Sequence, residues 1–255
     1  MKLYYKDEYV KLIHGDCLEV MDKMIEKGIK FDLILTDPPY GTTACKWDAI
    51  IPFDEMWNRI DKIIKENSAV AIFGSEPFSS FLRTSNIKNY KYDWCWIKTK
   101  AGNFQQARKL PMKRHETISI FYKSYPTYNL WNLKPLDSPI KSSRKNKGSN
   151  LSHCVDKGEY YQKETGFHFS DLYFSNKRGK GYSFHPTREP IPLLEYLINT
   201  YTNKNDAVLD FTCGSGSTLI AAKNLNRKCY GIELEEKYCE IAKNRLIHIS
   251  ENLDK

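Results

Sequence analysis

Apolar positions along the first hundred residues follow two periods in turn. Val10–Ile13 is a short apolar run, and after His14-Gly15-Asp16-Cys17 the residues Leu18, Met21 and Ile25 recur at helical spacing until Gly28. Phe31–Thr36 (FDLILT) suits a strand buried on both faces, stopped sharply by Asp37-Pro38-Pro39-Tyr40. Pro52 to Asn67 predicts an amphipathic helix with Met56, Trp57, Ile60, Ile63 and Ile64 on its apolar face. Ala69–Phe73 predicts another buried strand, closed by Gly74. Strand and helix alternate again after His185: helix at Ile191–Tyr201 with Pro190 near its start, strand at Ala207–Asp210, helix at Ser217–Leu225, strand at Cys229–Ile232, helix at Glu235–Ile249. This rhythm predicts an α/β fold, a mostly parallel sheet with helices on its faces.

Residues 98–182 break the rhythm. They hold dispersed aromatics (Phe104, Tyr128, Trp131, Tyr160, Tyr161, Phe167) and a polar stretch at Lys141–Asn150 that reads as a mobile loop. Thr117–Tyr122 is a clear strand within them, and Tyr92–Ile97 another just before. The chain therefore divides into 1–97, an insertion at 98–182, and 183–255.

Charge sharpens that division. Of 255 residues, 39 are Lys or Arg and 31 Asp or Glu, yet Lys98–Tyr182 alone holds 17 basic against 6 acidic. The whole positive excess sits in the middle segment, as expected for a polyphosphate partner, although a solvated basic insertion would show the same balance. Hydrophobic residues make up 41%, enough for a packed core, and no apolar run approaches the roughly 20 residues that span a bilayer. The opening residues show no apolar signal core and no cleavage site, so a cytoplasmic location is expected. Seven scattered cysteines contain no C-x-x-C pair, so neither a disulfide framework nor a metal site is expected.

Two constellations carry chemistry. Asp210-Phe211-Thr212-Cys213-Gly214-Ser215-Gly216-Ser217 follows a strand and opens a helix, where glycines let the backbone approach a ligand. Glu233, at the end of the next strand and 19 positions after Gly214, is placed to grip a ribose diol. Leu219 stands where a dinucleotide fingerprint needs glycine, which favours a smaller nucleoside ligand. Asp37-Pro38-Pro39-Tyr40 is the second. Its prolines fix the backbone and lack N–H donors, so Asp37 and the Pro38 carbonyl present acceptors to an exocyclic amine while Tyr40 offers a ring to stack on.

Together these motifs resemble the amino-group DNA methyltransferases that use S-adenosylmethionine, with DPPY as their catalytic motif and DxxxGxG as their cofactor motif. Their order, with DPPY first and the glycine turn last, is similar to the permuted β class. The resemblance covers about 1–97 and 183–255. It implies a Rossmann-like, doubly wound fold and catalysis by Asp37, Pro38, Pro39 and Tyr40. It also implies cofactor contacts from Asp16, Cys17, Asp37, Asp210, Phe211, Thr212, Cys213, Gly214, Ser215, Gly216, Glu233 and Leu234. His185-Pro186-Thr187-Arg188-Glu189-Pro190 resembles a further family element, but Glu189 replaces its usual Lys, so only Thr187 is carried over. No Pro-Cys dipeptide is present, so the carbon-methylating chemistry of cytosine enzymes is not expected, and Cys45 and Cys213 read as packing residues.

The implied reaction is site-specific methylation of adenine N6 in a base flipped from duplex DNA, in a bacterial or phage-infected cell. Asp rather than Ser at position 37 favours adenine over cytosine N4. RNA methylation and an inactive DNA-binding subunit are the remaining alternatives. A second copy of the chain and a cognate restriction nuclease are open partners. The insertion would supply the DNA contacts, from Arg108, Lys109, Arg114, Lys141, Arg144, Lys145 and Lys147.

Neutralising Lys141, Arg144, Lys145 and Lys147 together should weaken binding to all DNA sequences alike and flatten its salt dependence, by about 0.9 in log–log slope per lost phosphate contact. Titrations at several salt concentrations check this; an unchanged affinity and slope would make the cluster a solvated loop.

Overall fold

The computed structural model describes residues 1–41, 49–142, 160–176 and 189–253. Its strands are β1 (Lys2–Lys6), β2 (Val10–His14), β3 (Phe31–Thr36), β4 (Ile64–Gly74), β5 (Tyr90–Lys98), β6 (His115–Phe121), β7 (Lys134–Ser142), β8 (Tyr160–Thr165), β9 (Asp171–Phe174), β10 (Ala207–Asp210) and β11 (Lys228–Glu233). The helices are α1 (Cys17–Glu26), α2 (Phe53–Ile63), α3 (Phe78–Ser85), α4 (Ile191–Tyr201), α5 (Ser217–Asn224) and α6 (Glu236–Leu253).

Among the described residues, nine strands form one sheet in the order β1-β2-β11-β10-β3-β4-β6-β5-β9. From β2 to β4 every neighbouring pair is parallel. Alternation over Leu33–Leu35 shows how the sequence builds both layers. Leu33 and Leu35 face a core with α4, α5 and α6, whereas Ile34 faces one with α1, α2 and α3, which Phe31 joins across a register shift at the start of the strand. This is the doubly wound, mostly parallel α/β sheet expected.

Topology places a ligand crevice. From β10 the chain crosses through α5 to β11 on one side; from β3 it crosses through α2 to β4 on the other. The two directions part between β10 and β3, and the carboxyl ends of strands flanking such a switch point are where open α/β sheets bind ligands.

Two expectations change. The helix expected to reach Asn67 ends at Ile63, and Ile64 opens β4, opposite Phe31. Its φ of −82° and ψ of 142° are extended, and Lys65 continues the strand in an ion pair with Asp32 at 2.7 Å. Ile64 thus belongs to the strand, because pairing with β3 outweighs one more turn of helix. The basic middle is also less separate than its charge suggests. The chain packs as two units, Leu130–Phe169 and the remainder, so β6 and β9 belong to the main sheet although both fall within 98–182. Their apolar residues explain this: Ile118, Ile120 and Leu172 are buried in the same core as Leu33. The smaller unit is built on the antiparallel pair β7–β8, with Trp131 against His168 at 5.7 Å between ring centroids. Of the expected mobile loop, Lys141 and Ser142 end β7 and the rest lies outside the described residues.

Tyr201 ties α4 to the sheet. It is fully buried, and its hydroxyl accepts from Trp94 Nε1 at 2.7 Å and meets the Tyr92 hydroxyl at 2.8 Å. Tyr201→Phe should therefore destabilise the fold by about 1–3 kcal/mol, the usual cost of leaving a buried donor without its acceptor. Thermal unfolding checks it, at roughly 2–4 °C per kcal/mol for a chain of this size.

Candidate active site

The ends of β2, β11, β10 and β3 open into one cleft of about 1440 Å³. Because β3 and β10 are paired in parallel (Leu33 with Val208, Ile34 with Leu209), the DPPY turn and the glycine turn emerge side by side. Thr36, the last residue of β3, donates from Oγ1 to Asp210 Oδ1 at 2.9 Å and meets Thr212 Oγ1 at 2.6 Å. Thr212 Oγ1 in turn donates to the Asp37 carbonyl at 3.1 Å. One chain of hydroxyls thus joins two motifs far apart in sequence. Burial raises the Asp210 carboxyl from the usual carboxylate range to about 7.

The glycine turn is held from β11. Gly214 and Gly216 both have positive φ, 51° and 78°. A Cβ on Gly216 would also stand 2.8 Å from that of Ala242, so both conformation and space require glycine there. Glu233 is buried, and burial raises its carboxyl. Oε2 accepts from the Gly214 amide and Oε1 from the Glu235 amide, each at 2.8 Å, which leaves one further acceptor position on each oxygen. Glu233 therefore positions the turn as well as facing the cleft. Asp16, expected to touch a cofactor, caps α1 through Oδ1, which accepts from Leu18 N at 2.8 Å and Glu19 N at 3.1 Å; its other oxygen makes no part of the cap. Cys17 and Leu234 line the cleft beside it.

The thiols behave as packing groups. Cys213 is buried and held neutral by desolvation, and burial pushes Cys17 up to about 12. Phe211 is fully packed into the core, and Ser215 and Ser217 are tied to Arg245, whose Nη1 donates to their hydroxyls at 2.9 and 3.3 Å.

On the acceptor side, the Tyr40 hydroxyl donates to Asp37, and its ring lies 4.9 Å from Phe78 with 30° between the planes. The ring expected to stack on a base is thus backed by a second aromatic and anchored through its hydroxyl. Asp37 is raised well above the usual carboxylate range by burial and then by the facing Glu189. Lys98 and Lys100 line the far wall, Lys98 paired with Glu116.

Of the expected DNA contacts, Arg108, Lys109 and Arg114 lie exposed on the connection between β5 and β6, and Lys141 is exposed on β7 in the smaller unit. Arg144, Lys145, Lys147, Cys45 and Thr187 lie outside the described residues. Sequence reasoning missed Thr36, Arg245 and the cleft-facing place of Glu189. Arg245 had a signal: Tyr238, Ile241, Arg245 and His248 recur at helical spacing beside the buried Cys239, Ala242 and Leu246, and all four line the cleft.

Asp37, Asp210 and Glu233 all hold protons more tightly folded than unfolded. Stability contributed this way is present at low pH and lost as pH rises through the raised values. Thermal unfolding of the chain without ligand should therefore show lower stability at about pH 8 than at about pH 5.5. Asp210→Asn, neutral throughout, should reduce the difference.

Comparison with known proteins places this geometry. The chain is 28% identical over 252 residues to the type II methyltransferase M.HpaI of Haemophilus parainfluenzae, covering 92% of this chain and 74% of that protein. It is 28% identical over 273 residues to M2.LlaDCHI of Lactococcus lactis subsp. cremoris, covering 96% and 92%. Among solved structures, the M1.HpyAVI–SAM complex superposes with a TM-score of 0.65 at 26% identity, over 93% of this chain and 98% of that one. The cytosine-N4-specific PvuII methyltransferase has a TM-score of 0.69 at 16% identity, over 96% and 88%, a likeness of fold alone. The DNA methylase family matches residues 31–244, which take in both the DPPY turn and the glycine turn; this chain belongs to that family.

Proposed function

We propose that this chain methylates the exocyclic N6 amine of adenine in duplex DNA, at a specific sequence, with S-adenosylmethionine as the cofactor. One observation carries the reading: an acceptor carboxyl, Asp37, shares a cleft with a glycine turn, and the Thr212 hydroxyl holds the Asp37 carbonyl at 3.1 Å. Pockets for single small ligands commonly occupy ~300–1,000 Å³, so this cleft has room for a cofactor and a base together.

The residues present suit that cofactor. Asp16 and Glu233 offer acceptors for a diol or an amine, Arg245 is a cation for a carboxylate, and the first turn of α5 leaves amides without acceptors inside the helix. When bound, the cofactor supplies an electrophilic methyl group on a sulfonium. The chain's task is to make a poor nucleophile adequate. The lone pair of an aromatic amine is delocalised into its ring, and an acceptor on each N–H draws it back toward the nitrogen. Asp37 provides one acceptor and the Pro38 carbonyl the other, both preorganised by the Pro38-Pro39 backbone and by the bond from Thr212. Tyr40, anchored on Asp37 and backed by Phe78, offers the ring against which the base lies.

The amine of a paired base is not accessible in the duplex, so the target is flipped out. Arg108, Lys109 and Arg114 on the β5–β6 connection and the basic segment through Lys147 grip the phosphates and grooves around it. Adenine is favoured over cytosine by Asp rather than Ser at position 37, following the resemblance above.

Incubation with tritiated cofactor and duplex DNA, followed by nucleoside analysis, should yield N6-methyladenine; N4-methylcytosine as the only product would refute the adenine assignment. Asp37→Ala should lower the methylation rate by about 100-fold or more, the usual cost of a preorganised electrostatic partner, with cofactor affinity within about twofold of wild type. Glu233→Ala should instead weaken cofactor binding by about tenfold or more, because it removes both the cleft-facing acceptor and the anchor of the Gly214 amide. Calorimetry separates the two, and unchanged affinity in Glu233→Ala would sink its role.

A further inference from the structure

One loop at the rim of the cleft exposes what a folded chain ordinarily buries. Residues 99–114, between β5 and β6, carry the large apolar side chains Phe104, Leu110 and Met112, all exposed, among five basic residues and no acidic one. Phe104 is 79% exposed. Apolar residues scattered singly over a surface need no partner, but three on one short loop mark a contact surface.

The base of this loop belongs to the cleft wall. The Lys98 amide donates to the Arg114 carbonyl at 2.7 Å. Asn176 clamps Lys100: its Oδ1 accepts from the Lys100 amide at 2.9 Å, and its Nδ2 donates to the Lys100 carbonyl at 3.1 Å. Lys98, Lys100 and Asn176 all line the cleft, as does Ser75, whose hydroxyl accepts from Lys113. Beyond the base the chain closes on itself. The Gly102 amide donates to the Lys113 carbonyl at 2.9 Å. Asn103, left-handed with φ 51°, accepts through Oδ1 from the Lys113 amide at 2.8 Å and donates to the Pro111 carbonyl at 3.3 Å. A 3-10 turn at Phe104–Gln106 follows, and the amides of Lys109 and Leu110 reach the Gln106 carbonyl at 2.8 and 2.9 Å. Phe104 is thus presented by a preformed tip, so little ordering remains to oppose a contact.

Charge names the occupant. Lys100, Arg108, Lys109, Lys113 and Arg114 surround the apolar side chains with cations, which suits phosphates rather than an apolar or basic partner. Phe104 is not among the described residues that line the cleft, so its ring is not the one against which a flipped base lies. Tyr40, backed by Phe78, already offers that ring. An exposed ring on a basic tip beside the cleft faces the duplex instead. Extruding a base unstacks its neighbours and leaves a gap, and apolar wedges are the side chains that enter base stacks. We propose that Phe104 enters the DNA stack where the target base has left it, while the basic residues of its loop hold the flanking phosphates. Phe104 is a positioning residue: it touches neither the methyl group nor the amine, and acts by keeping the target base out of the helix.

The proposal rests on reading the cleft as the site of a base flipped from duplex DNA, and it holds for either amine-bearing base. Its test uses duplexes of the sequence that wild type methylates, with the target base either paired or set opposite a mismatched base, whose extrusion costs less. On the paired duplex Phe104→Ala should lower kcat/KM by about tenfold, within the range that one base stacked on an aromatic side chain contributes. On the mismatched duplex it should stay within about twofold of wild type. Phe104→Tyr, which keeps the ring, should match wild type on both. Thermal unfolding and cofactor affinity should be unchanged in Phe104→Ala, because the side chain is exposed. An equal loss on the two duplexes, or no loss on the paired one, overturns the proposal. A second copy of the chain seated on the loop would appear instead as self-association abolished by Phe104→Ala, and overturns it too. N4-methylcytosine as the only product would refute the adenine reading and leave this proposal standing, whereas a wild-type chain that methylates no base in duplex DNA overturns both.

Discussion

The parallel pairing of β3 with β10 is the constraint on which the site depends. It carries two turns that stand more than 170 positions apart to the same edge of the sheet, and the hydroxyls of Thr36 and Thr212 then close the gap between them. Each partner in that network is held by something stronger than itself. Thr36 ends a strand packed on both faces, Asp210 is buried, and the Asp37 carbonyl is fixed by the prolines that follow it. Loss of the pairing would leave two intact motifs with no shared cleft.

The electrostatics of that cleft run opposite to those of the chain. The formal charge is +8, carried by the middle segment, yet the carboxyls Asp16, Asp37, Glu189, Asp210 and Glu233 converge on one space. Burial of these groups in the cleft raises Asp37, Asp210 and Glu233 and costs stability as pH rises. It also prepares acceptors for ligands that bring amine and hydroxyl protons, and a negative lining for a cationic one. An exterior suited to phosphates and an interior suited to a cation and an amine are separate demands, met by separate stretches of chain.

Glycine and proline do the local work that lets these groups meet. Gly216 occupies a left-handed conformation in a space closed by Ala242, and Gly214 offers its amide to Glu233. The cap made by Asp16 starts α1, and the bond from the Gly15 amide to the Glu233 carbonyl ties that start to the end of β11. These contacts make the cofactor side of the cleft a product of three strand ends rather than of one loop.

By itself the sequence determined the parts that depend on neighbours in the chain. Apolar periodicity set the strands and helices flanking the site, and DPPY and the glycine turn announced their chemistry through residue type and spacing. Tertiary structure decided what depends on partners distant in sequence. Ile64 reads as helix until Phe31 stands opposite it, and Ile118 and Leu172 read as insertion until they enter the core of the main sheet. Glu189 reads as a departure from a motif until it lines the same cleft as Asp37, and Arg245 as a surface cation until Ser215 lies within hydrogen-bond reach. The reason is physical: periodicity and turn chemistry act over a few residues, whereas strand pairing, burial and contacts between distant side chains exist only once the sheet has brought the segments together.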